Sequence, residues 1–489
     1  MSKTISIIGS GFSSISAACY LAKAGFKVTV YEKNHQIGGR ARQYKKDGFL
    51  FDMGPTWYWM PDVFERFFSD FGYKPSDFYQ LEKLNPGYQI YYGEGDSITI
   101  SSEIEEIYAL FEKEEKGSSV HLKLFLQQAK NNYEVAVKEL VYRPGISPLE
   151  LITPKTITKL NQLFFDIRKQ IQAKFKNPRL IKILEFPVLF LGAKPSKTPA
   201  MYNFMNWADF GLGTWHPKGG MFEVAKGMSK LAKILSVKFV VDAAITKINV
   251  TKDNKAKSIV VNGKEIPSDI ILSGADYHHT EKLLDKNLRQ YSEKYWDKKT
   301  FAPSSLLFYV GFNKKLKNVK HHTLFFDKEF DSHAEYIYDT PAWPKDPLFY
   351  ASFPSITDNV FAPKGKEAAT FLIPIAAGLE DTSAHRNKYF DLIIGRLEKL
   401  TNQALKEHIV FSESYCVNDF IKDYNSYKGN AYGLANTLTQ TAFLRPKIKS
   451  KKVKNLFFTG QLTVPGPGVP PALISGKIAA ELILKQSKP

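Results

Sequence analysis

The chain predicts an α/β fold, and three stretches carry the prediction. Residues 4–34, TISIIGSGFSSISAACYLAKAGFKVTVYEKN, read as strand, glycine turn, helix and strand. Residues 38–40 supply a glycine pair and an arginine shortly after that second strand. Residues 455–485, NLFFTGQLTVPGPGVPPALISGKIAAELILK, read as a buried strand, an uncharged Gly/Pro segment and a helix.

In the first stretch Ile5 to Ile8 form the strand, Gly9 and Gly11 the turn, and Ala17, Leu21 and Ala24 one helical face before the strand Val28 to Tyr31. This is a βαβ dinucleotide unit. Gly9 permits the tight turn, and Gly11 lets the backbone approach a pyrophosphate whose charge the helix N-terminus meets. Phe12 and Ser13, next in the chain, belong to the same candidate site. Glu32 stands where a carboxylate accepts hydrogen bonds from ribose hydroxyls, with Lys33 beside it. Ser14 replaces the third glycine of a GxGxxG pattern and asks for more room between helix and strand.

Gly38 and Gly39 let the chain lie along a phosphate, and Arg40 adds a charge-assisted contact to it. A second pair, Gly219 and Gly220, precedes an amphipathic helix bearing Phe222, Ala225, Met228 and Leu231 on one face, as if backbone passed close to a ring system. Asn262 and Gly263 mark a hairpin. In the last stretch, Pro470 and Pro471 suit the first turn of a helix, because the absent N–H costs nothing there. Rigid, uncharged backbone suits an apolar pocket wall.

Composition bounds the rest. The 489 residues are 44% hydrophobic, enough for a large core divided among two or three domains. Cys19 and Cys416 make no disulfide framework and show no metal spacing, so no metal is expected and a reducing compartment fits. The longest apolar runs fall short of the ~20 residues that cross a bilayer, and no signal peptide is read. The 67 basic against 49 acidic residues suit nucleic acid or an anionic membrane surface. Lysine dominates without a nucleic-acid module, so no nucleic acid is expected as partner.

From Pro154 to Lys182, Ile157, Leu160, Phe164, Ile167, Ile171 and Phe175 recur every three or four residues among Lys155, Lys159, Arg168, Lys169, Lys174 and Lys176. The pattern predicts a basic amphipathic helix that dips into acyl chains or packs on the core. Trp57, Tyr58 and Trp59, with Phe64, Phe67 and Phe68, line a channel or fill core. The pairs His278–His279 and His321–His322 lack a third metal ligand, which leaves surface or hydrogen-bonding roles.

In order along the chain, GSGFSS, YEKNHQIGGRAR, FDMGPTWYW, NPRLIKILEFPVLFLGAKP, GTWHPKGGMF, VKHHTLFF, YKGNAYGLANTLTQTAFLRP and NLFFTGQLTVPGPGVPPALISG carry a resemblance over essentially its whole length. The chain resembles the FAD-dependent oxidoreductases with a glycine doublet, and among them the bacterial carotenoid desaturases of the phytoene desaturase type. The resemblance implies FAD and a Rossmann-like FAD-binding domain of the glutathione reductase and amine oxidase type. It also implies a mixed-sheet substrate domain and a helical membrane-facing lid. The boundaries it implies are 1–58, 213–299 and 441–489 for FAD, 81–100 and 300–440 for substrate, and 59–80 and 101–212 for the lid. Further cofactor residues follow from it: Gly54, Pro55 and Thr56, then Gly219, Gly220 and Met221, the backbone of Ile245 at the adenine, and Gly460, Gln461, Gly468, Val469 and Pro470 at the flavin.

The implied reaction is the successive dehydrogenation of phytoene and partly desaturated carotenoids, through to lycopene, with a quinone or oxygen as electron acceptor. The implied location is cytoplasmic, peripheral on the inner face of the cell membrane and in contact with its lipid surface. A hydroxycarotenoid desaturase, a prenyl-binding escort protein without redox chemistry and an amine oxidase are the alternatives. Alkane-to-alkene oxidation asks for hydride transfer to flavin and loss of a neighbouring proton. No catalytic side chain is therefore assigned, although Asp52, Asp209 and Arg445 are polar residues near the family motifs. Many relatives carry an AGTHPGAGIPG-like segment where this chain has Gln461 to Pro471, and a glycine at Ser14.

Overall fold

The computed structural model describes residues 2–138, 140–151, 165–437 and 439–487. A five-stranded parallel sheet runs in the order Leu456–Phe458, Ile270–Ser273, Thr4–Ile8, Lys27–Tyr31, Lys238–Val240. Parallel strands covered on both faces read as nearly continuous apolar runs. Ile5, Ile7, Ile8, Val28, Val30, Ile271 and Leu272 are accordingly all buried. The helix Phe12–Lys23 packs against the C-terminal helix Val469–Ser487, so both chain ends build one layer over this sheet. Their contact is close, for a Cβ on Gly476 would stand 2.3 Å from the Ser13 carbonyl oxygen.

The missing third glycine has a local answer. Ser14 Oγ faces Gly274, where a Cβ would stand only 2.0 Å from it. Room that the motif usually gains on the helix is gained here on the facing loop.

Beside the parallel sheet, Ile245–Val250, Ala256–Val261 and Lys264–Pro267 form an antiparallel sheet. Its predicted hairpin turns at Asn262 and Gly263, with φ of 47° and 79°. Positive φ at both positions gives the two-residue turn whose twist matches its flanking strands.

A seven-stranded mixed sheet runs Ile409–Tyr415, Ser304–Phe312, Glu367–Ile375, Phe349–Ser352, His322–Phe325, Tyr88–Gly93, Asp96–Ile100. His322–Phe325 and Tyr88–Gly93 pair in parallel and the other neighbours antiparallel. Its strands thus come from two stretches far apart in the chain, either side of a helical region that includes Ile104–Glu114 and Ser118–Lys138.

The predicted continuous helix from Pro154 to Lys182 is corrected where it is described. Residues 152–164, with Lys155, Ile157, Lys159, Leu160 and Phe164, lie outside the described residues. Beyond them two short helices form, Ile167–Gln172 and Pro178–Glu185. The second starts on Asn177, whose side chain accepts from the Arg179 N–H at 2.9 Å, with Pro178 in its first turn. Ile167, Ile171 and Phe175 are fully buried in the main core, so this apolar face is covered by protein. No described helix is long and apolar enough to cross a membrane.

Candidate active site

One cavity of about 820 Å³ extends from the glycine turn of the parallel sheet to the mixed sheet. Gly9 has φ of 83° and donates its N–H to the Tyr31 carbonyl at 2.8 Å, which fixes the turn. The helix after Gly11 has no side-chain cap, so the N–H groups of its first turn are left for a ligand. A Cβ on Gly11 would meet nothing within 4 Å, because it would project into open space. Gly39, with φ of 57°, lays its backbone on Gly11, where a Cβ would stand 3.1 Å from the Gly11 Cα. An uncapped helix start between two glycine turns is a fitting cradle for a pyrophosphate.

Glu32 is buried and accepts from the Ser10 N–H and hydroxyl on one oxygen, and from the Asn34 N–H and side-chain amide on the other. All four acceptor positions are filled, so a ribose hydroxyl there takes the place of a side-chain donor. Ala243, which donates to the Glu32 carbonyl at 2.8 Å, leads through Ala244 to Ile245 along the same wall. Lys33 lines the cavity and turns its amine to the Lys422 carbonyl and Asn425. Arg40 lies over the Tyr424 ring at 4.8 Å, with its Nε unpartnered. That buried donor is a group a phosphate oxygen can meet. Gly54 admits the Arg40 carbonyl, which a Cβ would meet at 2.4 Å, and Pro55 and Thr56 continue this side of the wall.

Opposite them run Gly460, Gln461, Gly468, Val469 and Pro470. Gly460 has φ of 104° and donates its N–H to Ser475 Oγ at 2.9 Å, which ties the Gly/Pro segment to the helix that follows. Phe12 and Ser13 also line the cavity, whereas Ser14 is buried behind it.

Gly219, Gly220 and Met221 are placed elsewhere, contrary to the ring-side expectation. Gly220, with φ of 92°, closes on the buried Asp52 carboxylate, which a Cβ there would meet at 2.5 Å, while Gly219, with φ of 83°, faces the Glu223 side chain. Met221 donates its N–H to Asp52 Oδ2 at 2.9 Å, and Gly219 donates to Asp358 Oδ2 at 2.7 Å. The close approach is thus to carboxylates. Burial pushes the Asp52 carboxyl up to about 7.

The far part of the cavity is apolar, with Trp57, Trp59, Leu324, Phe326 and Phe349 among its walls. Tyr58, Phe64, Phe67 and Phe68 fill core instead. Thr56 and Tyr350 share a hydrogen bond of 2.8 Å between hydroxyls at the cavity, and Tyr350 Oη reaches His322 Nδ1 at 2.6 Å. His322 stacks on Trp57 with centroids 4.0 Å apart and leaves its Nε2 unpartnered. Both members of the pair His321–His322 are buried, and desolvation holds both imidazoles well below their ordinary range, hence neutral. The surface option for these histidines is thus overturned. His278 is also buried and meets Glu293 at 2.7 Å. Sequence reasoning missed Tyr350, although the strand period of two places His322 with Leu324, a cavity residue.

Residues 13–484 match the family described as flavin containing amine oxidoreductase. A carotenoid 3,4-desaturase of Haloarcula japonica is 39% identical over 485 residues, covering 98% of each chain. A 4,4'-diapophytoene desaturase (4,4'-diaponeurosporene-forming) of Staphylococcus haemolyticus is 33% identical over 496 residues, again covering 98% of each. Among solved structures, a CLA-producing fatty acid isomerase from P. acnes shares the fold, with a TM-score of 0.62 at 13% identity over 99% of both chains. With its glycine cradle in place and relatives matched from end to end, the chain belongs to the flavin-containing amine oxidoreductases, among their FAD-dependent carotenoid desaturases.

Proposed function

We propose that the chain desaturates a long acyclic carotenoid that carries a polar end, at a bond near that end. A pair of phenols carries this reading. Tyr338 and Tyr432 line the cavity, and neither hydroxyl has a hydrogen-bond partner among the described residues. Burial pushes Tyr432 up to about 12 and Tyr338 higher still, so both stay neutral donors. Facing the cavity, each phenol can meet a substrate hydroxyl in a hydrogen bond worth about 0.5–1.5 kcal/mol, which a plain hydrocarbon cannot offer. The greater identity to the 3,4-desaturase, 39% against 33%, supports the same bond. Phytoene taken through to lycopene is the second reading, favoured by the apolar walls at Leu324, Phe326 and Phe349.

Bound FAD supplies the two-electron acceptor for such a dehydrogenation. The chain's own part is to hold one C–C bond in place, exclude water with the Trp57 and Trp59 walls, and carry a proton away. Tyr350 is placed for the last task, since its Oη can take the proton from the substrate carbon while passing its own to His322 Nδ1. The substrate arrives from a lipid surface on the inner face of the cell membrane. Supporting this, Gly145, Ser147 and Phe443 line the cavity where their neighbours Ile146, Leu149 and Leu444 are 63%, 71% and 42% exposed. The electrons leave for a membrane quinone or oxygen.

The test is incubation of flavin-loaded protein with a quinone and liposomes holding either a hydroxylated acyclic carotenoid or phytoene, followed by product spectra. A longer-wavelength product from the hydroxylated carotenoid alone is expected. Conversion of phytoene alone would replace this reading by the second one, and no change in either would sink both.

A further inference from the structure

Arg445 is 2% exposed, yet no carboxylate pairs with it among the described residues. Its Nη1 donates to the Gln461 carbonyl at 3.2 Å and its Nη2 to the Leu434 carbonyl at 3.0 Å. Nη2 also donates to Asn436 Oδ1, and Nε has no partner. All these acceptors are neutral. The guanidinium lies directly behind the Gly/Pro segment, close enough that a Cβ on Gly466 would stand 2.9 Å from Nη2. Gln461, Val464, Pro465, Pro467 and Asn436 separate it from the cavity by a single layer of residues.

An unpaired buried charge costs several kcal/mol, and in a low-dielectric wall its field reaches the cavity little screened. The glycines and prolines of residues 464–468 add no counter-charge. Such a cation lacks a resident anion, and a flavin in this cavity becomes one when two electrons and one proton reduce it. We infer that Arg445 is a positioning charge that favours the reduced, anionic flavin over the oxidised one and so raises the potential of the bound cofactor. This rests on FAD occupying the cavity beside the 461–470 wall. The electrons are those taken from the carotenoid, and no further reactant is required.

The same arginine also clamps Leu434, Asn436 and Gln461 together, so its charge has to be separated from its shape. Redox titration of FAD-loaded wild type, Arg445→Lys and Arg445→Gln does this without turnover. Arg445→Lys keeps the charge and should hold the wild-type potential. Arg445→Gln should weaken binding of reduced relative to oxidised flavin at least tenfold, a fall of about 30 mV for a two-electron couple. Should Arg445→Gln fail to hold FAD, Asn436→Asp sets a carboxylate against Nη2 in nearly unchanged shape and should lower the potential likewise. A wild-type potential in flavin-bound Arg445→Gln, or in Asn436→Asp, overturns the inference and leaves the cofactor assignment standing. Failure of the wild-type protein itself to bind FAD would overturn both.

Discussion

Replacing Asp209 by asparagine should make the protein more stable, and increasingly so as pH rises. Asp209 sits in the turn Trp207–Gly211, is 3% exposed, and accepts from Tyr88 Oη at 2.7 Å. Burial pushes its carboxyl up to about 8, tempered only by that hydrogen bond. In the unfolded chain the same group ionises near 4. Between those values the folded state keeps a proton that the unfolded state has released. Stability therefore falls as pH rises, by about 1.4 kcal/mol per unit, with the penalty absent below about 4 and complete above 8. From pH 5 to pH 8 this single group should cost about 3 to 4 kcal/mol. The side-chain amide of Asp209→Asn keeps an acceptor for Tyr88 and cannot ionise, so the variant lacks that slope. Denaturant unfolding of wild type and Asp209→Asn at pH 5, 6.5 and 8 measures the difference, from which the shared contribution of Asp52 cancels. A stability difference that stays flat across this range would refute the reasoning. The consequence reaches the site, because the Tyr88 ring lies 5.5 Å from that of Trp57, a cavity wall.

Tyr350→Phe deprives His322 and Thr56 of the hydroxyl they share. It should destabilise the protein by about 1–3 kcal/mol and slow desaturation about a hundredfold, with the visible flavin spectrum unchanged. Wild-type turnover in this variant would remove Tyr350 from the proton route. Ile146→Glu combined with Leu149→Glu changes two exposed side chains, so stability should stay within about 0.5 kcal/mol while liposome flotation is lost. Undiminished flotation would place the lipid contact elsewhere.

Features set by short-range rules were legible from the sequence, because each needs only neighbours in the chain. The turn at Gly9 and Gly11, the doublet at Gly38 and Gly39, the hairpin at Asn262 and Gly263, and the helix beginning beside Pro470 are of this kind. Asn177 and Pro178 carried an equally local stop signal, which the three-to-four periodicity of the flanking apolar residues masks. Other features depend on which distant segments meet. Gly219 and Gly220 announce a close approach, but only folding reveals that the approaching group is Asp52, 169 positions from the Met221 N–H it accepts. His322 and Tyr350 become partners because Leu324 pairs with Tyr350 across two antiparallel strands, a register that no spacing encodes. Arg445 is the sharper case, since the sequence marks it only as a polar residue near the family motifs, and its burial appears once Leu434, Asn436, Gln461 and Gly466 close around it. Polar groups buried without a matching charge or donor cost stability, and the fold retains them at Arg445 and His322, while the phenols of Tyr338 and Tyr432 face the cavity itself. Local pattern thus specifies where the cofactor enters, while the chemistry is tuned by contacts that exist only once the mixed sheet and the Gly/Pro segment have come together.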